Sequence, residues 1–215
     1  MTGVQRIAIE AVEDSLLFLK EGMSEIDLGK KVSELMKSKG VGKPWYPTLI
    51  YFAHRTVNAS RKNLPSDAKL KNGDIILIGV HPTKKRFMGD YSITTVFGEN
   101  QELEELVDNA KEVQEKTINF ATAKTTGREL FEYSQGLMEE FGYRLLDLRG
   151  NIGHDVGIMP ADGSKFERTF LDRQNNEPLG GKFWAIEPFM GNEFGAAFED
   201  IVFIGENEKI VVRDT

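Results

Sequence analysis

The chain contains no cysteine, which excludes disulfides, zinc–thiolate sites and thiol nucleophiles. No apolar run approaches the ~18 residues of a membrane helix, and Glu10, Glu13 and Asp14 interrupt the segment where a signal peptide would be apolar. Basic residues are also few: the net charge is −7, and no basic cluster is interleaved with aromatic residues. We therefore expect a cytoplasmic protein with neither a membrane nor a nucleic acid as partner.

Two stretches of the 215-residue chain predict the same order of elements. Apolar spacing predicts a helix over residues 4–19, and a capping box at Ser24–Asp27 begins a second helix, followed by strands at 48–53, 75–80 and 91–97. Residues 101–125 predict a long helix, a second capping box at Thr126–Glu129 begins the next, and strands follow. The pattern predicts a single α+β domain over 1–215, with pseudo-repeats at about 1–100 and 101–215 around one curved antiparallel sheet.

Four otherwise apolar segments each carry one side chain that can bind a metal. Asp90 precedes the predicted strand 91–97, His154 lies between Gly153 and Gly157, and Glu187 and Glu199 follow later in the chain. An unpaired buried carboxylate is costly, so groups of this kind are expected to share a charge partner. We predict that Asp90, His154, Glu187 and Glu199 converge on one metal site.

Short motifs occur in the order and at the intervals of a known family. The motifs are Asn-Gly-Asp-Ile before a strand, Gly-His-x-x-Gly, Ile-Glu-Pro and Glu-Asp, at residues 72–75, 153–157, 186–188 and 199–200. Over nearly its whole length the chain resembles the pita-bread metallopeptidases, which include methionine aminopeptidase, prolidase, aminopeptidase P and their relative creatinase. The resemblance implies the pita-bread fold, with Asp90, His154, Glu187 and Glu199 as metal ligands.

Three positions depart from the pattern of that family. The family has a further ligand aspartate 11 residues before the counterpart of Asp90, and that position is Gly79 here. Two of the family's active-site histidines fall on Arg61 and Ala161. The two-metal mechanism and the aminopeptidase substrate class therefore do not carry over directly.

The first interpretation is a hydrolase that binds one divalent ion. Mn, Fe, Co and Zn are the candidates, because they suit a ligand set of several carboxylates and one imidazole. Three carboxylates with one ion leave the same net charge as four carboxylates with two ions and a bridging hydroxide. The substrate would be a small molecule or short peptide that is cleaved at an amide or other C–N bond. Glu187 and His154 are the candidate catalytic residues, with Glu187 as proton shuttle.

Other interpretations stay open. In a retired site, Arg61 would pair with Asp90 or Glu199 and replace the ion, leaving a non-catalytic module that binds a peptide or protein. A third interpretation is hydrolysis without a metal, as in creatinase. The chain leaves no room for the N-terminal domain of prolidase-like relatives, so we expect a homodimer partner to supply part of the pocket wall.

Three further residues are candidate substrate contacts. In the enzyme, Arg61 would face the cleft as a clamp for a substrate carboxylate. His54, at a strand end, can line the cleft, although packing is its main expected role. His81 shares a strand face with Gly79 and can reach toward the missing aspartate, but Pro82 and the nearby hairpin tip favour an exposed turn.

Overall fold

The computed structural model describes residues 2–213, in which helices and strands follow one another in the predicted order. The helices are α1 (Thr2–Leu16), α2 (Glu25–Ser38), α3 (Gln101–Phe120) and α4 (Gly127–Glu140), with a 3-10 helix at Ala53–Asn58. The strands are β1 (Leu49–Phe52), β2 (Asp74–Val80), β3 (Thr83–Lys84), β4 (Phe87–Met88), β5 (Tyr91–Phe97), β6 (Arg144–Leu145), β7 (Asn151–Val156), β8 (Phe170–Asp172), β9 (Lys182–Ile186), β10 (Met190–Gly191), β11 (Gly195–Ala196), β12 (Asp200–Ile204) and β13 (Lys209–Val211).

Both predicted capping boxes are present. The Ser24 hydroxyl accepts a hydrogen bond from the Asp27 backbone N–H, and the Asp27 carboxylate accepts one from the Ser24 N–H. Thr126 makes the same reciprocal pair at the start of α4. Helix α3 ends at Phe120 rather than at 125, because the side chains of Thr122 and Thr125 bond to each other's backbone N–H groups and form a turn instead.

The strands are antiparallel and form two main sheets, in the orders β1-β2-β5 and β13-β12-β9-β7-β8. The predicted pairing of 75–80 with 91–97 is therefore confirmed. The two sheets meet where β5 approaches the start of β12. There the Glu199 N–H donates to the Ser92 carbonyl at 3.0 Å, and Thr94 Oγ1 exchanges two hydrogen bonds with the Ala197 backbone.

Each helix pair covers one sheet. Helices α1 and α2 pack on the side of β2 that carries Ile76, Ile78 and Val80, whereas α3 and α4 enclose the indole of Trp184. Alternation along β2 therefore directs Leu77 and Gly79 to the side away from α1 and α2. The organisation of the two halves, about 1–100 and 101–215, as a single domain stays a prediction. No helix within residues 2–213 has the length and apolarity to cross a membrane.

Candidate metal centre

The four predicted ligands Asp90, His154, Glu187 and Glu199 all line one cavity of about 100 Å³ at the junction of the two sheets. Each side chain is placed by the end of a strand or, for His154, by the middle of β7. This space has room for an ion together with the reacting end of a substrate.

Asp90 is held by its backbone, which leaves its carboxylate free for other partners. The buried amide of Gln5 in α1 accepts from the Asp90 N–H at 2.9 Å and donates to its carbonyl at 2.6 Å. The indole N–H of Trp45 fixes the preceding residue by donating to the Gly89 carbonyl at 2.9 Å. The Asp90 side chain is 1% exposed, and within residues 2–213 neither of its oxygens has an N–H or hydroxyl donor; its near neighbour is the Glu199 carboxyl group, and the two side chains act on each other's pKa.

His154 turns one ring nitrogen toward Asp90. Its Nδ1 lies 2.8 Å from the Asp155 carbonyl, which can only accept, so Nδ1 carries the proton and Nε2 keeps its lone pair. Nε2 lies 3.4 Å from Asp90 Oδ2. The ring reaches this position because Gly153 has φ 145° and approaches β9 so closely that a Cβ would lie 2.1 Å from the Ala185 carbonyl oxygen.

Ser92 orients one of the two glutamates. Its hydroxyl donates to Glu199 Oε2 at 2.8 Å, and both residues are at most 2% exposed. Ser92 stands two residues after Asp90 and therefore shares its strand face. Glu187 follows β9 and is held through its N–H, which donates to the Ile152 carbonyl at 2.8 Å.

Burial and mutual repulsion dominate the protonation of the carboxyl groups in this cavity. Burial raises the pKa of Asp90, Glu187 and Glu199 well above the ordinary values, and their charges raise one another's pKa further. Burial also lowers the pKa of His154 to about 3, so its imidazole is neutral near pH 7. Neutral imidazoles and clustered carboxylates are the forms in which these groups bind metal ions.

The donor set fits a divalent ion. A lone pair on His154 Nε2 faces the unpartnered Asp90 carboxylate, and two electron-rich atoms in this position repel each other unless a cation or proton lies between them. Donor atoms of His81, Asp90 and Glu199 also lie within 4.8 Å of one another. The arrangement therefore supplies a candidate site for one divalent metal, whose identity the geometry does not fix.

The expected exposed position of His81 is wrong. The residue is 6% exposed and lines the cavity, with Nε2 3.5 Å from Asp90 Oδ1. The aromatic segment at Trp45 and Tyr46 covers the turn, and both rings contact the imidazole edge-on, at centroid distances of 5.4 and 4.9 Å. Local turn signals at Pro82 could not reveal this cover, since it comes from a segment distant in sequence.

Arg61 and His54 do not line the cavity. Arg61 is exposed, and its described contact is the backbone N–H that donates to Tyr46 Oη at 3.0 Å, so neither its clamp role nor its pairing with a carboxylate is supported. His54 stacks on Phe194 at a centroid distance of 4.3 Å, which agrees with its expected packing role, and its role as a substrate contact stays a prediction.

Two arginines line the cavity, Arg149 and Arg168, and the sequence reasoning missed both; Arg168 is the one that acts on the carboxyl groups. Its guanidinium lies 5.1 Å from the centroid of Phe170 and 5.4 Å from that of Trp45. Its charge acts to lower the pKa of Asp90 and Glu187 against the effect of burial. A sequence pattern could have predicted the position of Arg168. It stands two residues after Phe166 and two before Phe170, so in an extended backbone its side chain lies on the same face as both aromatic rings.

The family model described as metallopeptidase family M24 matches residues 1–206. Among curated relatives, the Xaa-Pro dipeptidase of Pyrococcus furiosus is 28% identical over 207 residues, which cover 94% of this chain and 57% of that protein. A relative of the same description from Pyrococcus horikoshii is 27% identical. The chain thus spans little more than half the length of these relatives.

Solved structures agree on the fold. The prolidase from Pyrococcus furiosus has a TM-score of 0.87 at 26% identity and is matched over 100% of this chain and 63% of its own. Methionine aminopeptidase from Thermotoga maritima has a TM-score of 0.79 and is matched over 94% of its length, and at 20% identity it bears on the fold alone. The α+β pita-bread fold predicted from the motifs is confirmed.

Proposed function

The chain belongs to metallopeptidase family M24, and we propose that it is a hydrolase that uses one divalent metal ion to cleave an amide or related C–N bond of a short peptide or small molecule. The observation that carries the proposal is the junction of the sheets. Asp90, His154, Glu187 and Glu199 share one small cavity there, and in the described chain the buried Asp90 carboxylate has no N–H or hydroxyl donor.

We assign Asp90, His154, Glu187 and Glu199 as the residues that would hold the ion. When bound, the ion supplies Lewis-acid chemistry, which polarises a carbonyl group and makes water more acidic. Glu187 is the proposed proton shuttle: its carboxylate accepts a proton from the attacking water and returns it to the leaving nitrogen.

Arg168 supports a substrate that carries a carboxylate. It lies at the cavity wall, its charge is permanent, and its planar guanidinium can bind both oxygens of a carboxylate. The two relatives from Pyrococcus are Xaa-Pro dipeptidases, and a dipeptide presents a carboxylate close to its scissile bond. Dipeptides with a free C-terminus, including Xaa-Pro, are therefore the proposed substrate class.

We propose a homodimer in the cytoplasm as the working form. Leu148 is 74% exposed and stands between Asp147 and Arg149, which line the cavity. A second chain seated at this rim would cover Leu148 and close one side of the cavity. Sedimentation of the purified chain at several concentrations tests this assembly, and a monomer at all of them would contradict it.

The direct test of the function is hydrolysis by the full chain. The protein is stripped with a chelator, supplied with Mn²⁺ and incubated with Ala-Pro, Leu-Pro and Ala-Leu, and the released amino acid is quantified. We expect turnover only with the ion, and its loss in Glu187→Gln. Glu206→Gln, at an exposed glutamate outside the cavity, is the control and should match the wild type. Tight Mn²⁺ binding without turnover of any peptide would instead favour the non-catalytic binding module.

A further inference from the structure

Ser92, Leu49 and His81 bound the space beside Gly79. A Cβ on Gly79 would lie 3.1 Å from the Ser92 hydroxyl, 3.5 Å from Leu49 Cβ and 3.6 Å from His81 Cε1. The φ of Gly79 is not in the left-handed region, so the backbone does not require glycine there. What the glycine provides is room, because an aspartate side chain would extend from this Cβ into the volume that the His81 ring and the Ser92 hydroxyl fill.

We propose that His81 supplies the metal ligand that position 79 lacks, so that two imidazoles and three carboxylates face a single ion. The inference rests on the proposed function and adds a ligand that the family resemblance does not supply. His81, Asp90 and Glu199 have donor atoms within 4.8 Å of one another. Donors on opposite sides of one ion lie ~4.4 Å apart, so small side-chain adjustments allow all three to share it.

Packing alone does not account for the position of His81. The Pro47 backbone carbonyl acts on the buried ring as a hydrogen-bond acceptor, but this leaves Nε2 pointing at the Asp90 carboxylate, which in residues 2–213 has no N–H or hydroxyl donor. A buried structural histidine normally has its polar atoms satisfied. The edge-on contacts with Trp45 and Tyr46 hold the ring in the orientation that keeps Nε2 directed into the cavity.

Replacing a carboxylate by an imidazole alters the preferred metal. Imidazole suits zinc, iron and other transition ions, whereas carboxylates suit manganese and magnesium. A site with His81 in addition to His154 should therefore favour Co²⁺ and Zn²⁺ over Mn²⁺ more strongly than a site with one imidazole. This preference can be measured without any substrate.

The test is calorimetric titration of Co²⁺ and Mn²⁺ into the stripped full chain. We expect His81→Phe to weaken Co²⁺ binding by more than the ~10–100-fold that loss of an outer-shell partner costs, and to weaken Mn²⁺ binding less. The matched control His54→Phe, at the histidine outside the cavity, should bind both ions as the wild type does. Co²⁺ affinity of His81→Phe equal to that of the control overturns the proposal.

A second measurement does not depend on the folding of a variant. Nitrogen hyperfine splitting in the electron paramagnetic resonance spectrum of the Cu²⁺-loaded wild type counts the coordinated imidazoles. Two nitrogens are expected, and one nitrogen assigns His81 a packing role and overturns the proposal. If the wild type binds no divalent ion at all, the proposed function fails together with this inference. Tight binding with a single nitrogen removes only the assignment of His81.

The reciprocal variant exchanges the two ligand types. Gly79→Asp alone should lower metal affinity, since its carboxylate meets the His81 ring and the Ser92 hydroxyl. Gly79→Asp combined with His81→Gly should recover affinity and shift the preference toward Mn²⁺. If the single and double variants bind Mn²⁺ equally, the two positions do not compete for one ligand place, and the proposal is wrong.

Discussion

Arg168→Ala separates substrate recognition from metal binding. The guanidinium is half-buried at the cavity, and its charge already acts on Asp90 and Glu187. A charge-assisted hydrogen bond contributes ~1.5–3 kcal/mol. At about 1.4 kcal/mol per tenfold, its loss should lower kcat/KM for a dipeptide by roughly 10–150-fold. The contacts with Phe170 and Trp45 add ~0.5–1 kcal/mol each to stability, so Tm should fall by only a few degrees.

The assay compares a dipeptide with the same dipeptide amidated at its C-terminus. The wild type should prefer the free acid, whereas Arg168→Ala should treat the two alike because the partner of the carboxylate is gone. Arg61→Ala is the matched control and should keep the preference, since Arg61 is exposed and outside the cavity. An equal loss on acid and amide would refute carboxylate recognition.

The same variant tests whether the site is retired. Removing a positive charge beside three carboxylates should strengthen Mn²⁺ binding modestly in a working metal site. In a retired site the guanidinium would replace the ion, so only Arg168→Ala would bind Mn²⁺. Binding by the variant alone would therefore refute the hydrolase.

Three further outcomes are expected. Ser92→Ala removes the donor to Glu199 and should weaken metal affinity ~10–100-fold in calorimetry; unchanged affinity would show that the hydroxyl does not orient the ligand. Glu25→Gln should lower the free energy of unfolding in urea by about 3 kcal/mol, because the buried carboxylate accepts from Arg55; a change below ~1 kcal/mol would contradict this. Burial raises the pKa of Asp90 above its unfolded value, so its contribution to stability is full below pH ~4 and is lost as the pH rises through the raised pKa. The metal-free protein should therefore have a lower Tm at pH 8 than at pH 5, and added ion should restore the Tm. A Tm that does not depend on pH would contradict this expectation.

Local signals in the sequence predicted the scaffold well. Ser24 and Thr126 begin helices because each meets an acidic side chain three residues later, and this pattern is visible without any tertiary information. Three of the ligand candidates were also accessible, because His154, Glu187 and Glu199 lie in short motifs that can be recognised in the sequence itself. Their convergence depends on sheet pairing, which the family resemblance supplied.

Residues that act through long-range packing escaped prediction. The surroundings of His81 are set by Trp45 and Tyr46, more than thirty positions earlier, and turn chemistry at Pro82 indicates the opposite environment. Arg168 follows an exposed segment in which apolar residues show no regular spacing. Arg61 became a candidate only because it stands 18 residues before Gly79, the distance at which the family has a histidine. An interval in sequence fixes a position along the chain, but the folded path of an irregular loop decides which cation reaches the cavity.

Glycine at position 79 does not by itself remove the electrostatic conditions for binding an ion. The net charge is −1 when one divalent ion is bound by the three carboxylates of Asp90, Glu187 and Glu199. It is also −1 in a site with four carboxylates, two divalent ions and one hydroxide. Burial lowers the pKa of His81 to about 3, so its imidazole offers a donor without altering that balance. The remaining negative charge lies near Arg168, whose guanidinium can compensate it or bind a substrate carboxylate. A chain that works with one ion must orient its substrate by other means, and Arg168 is placed to do so.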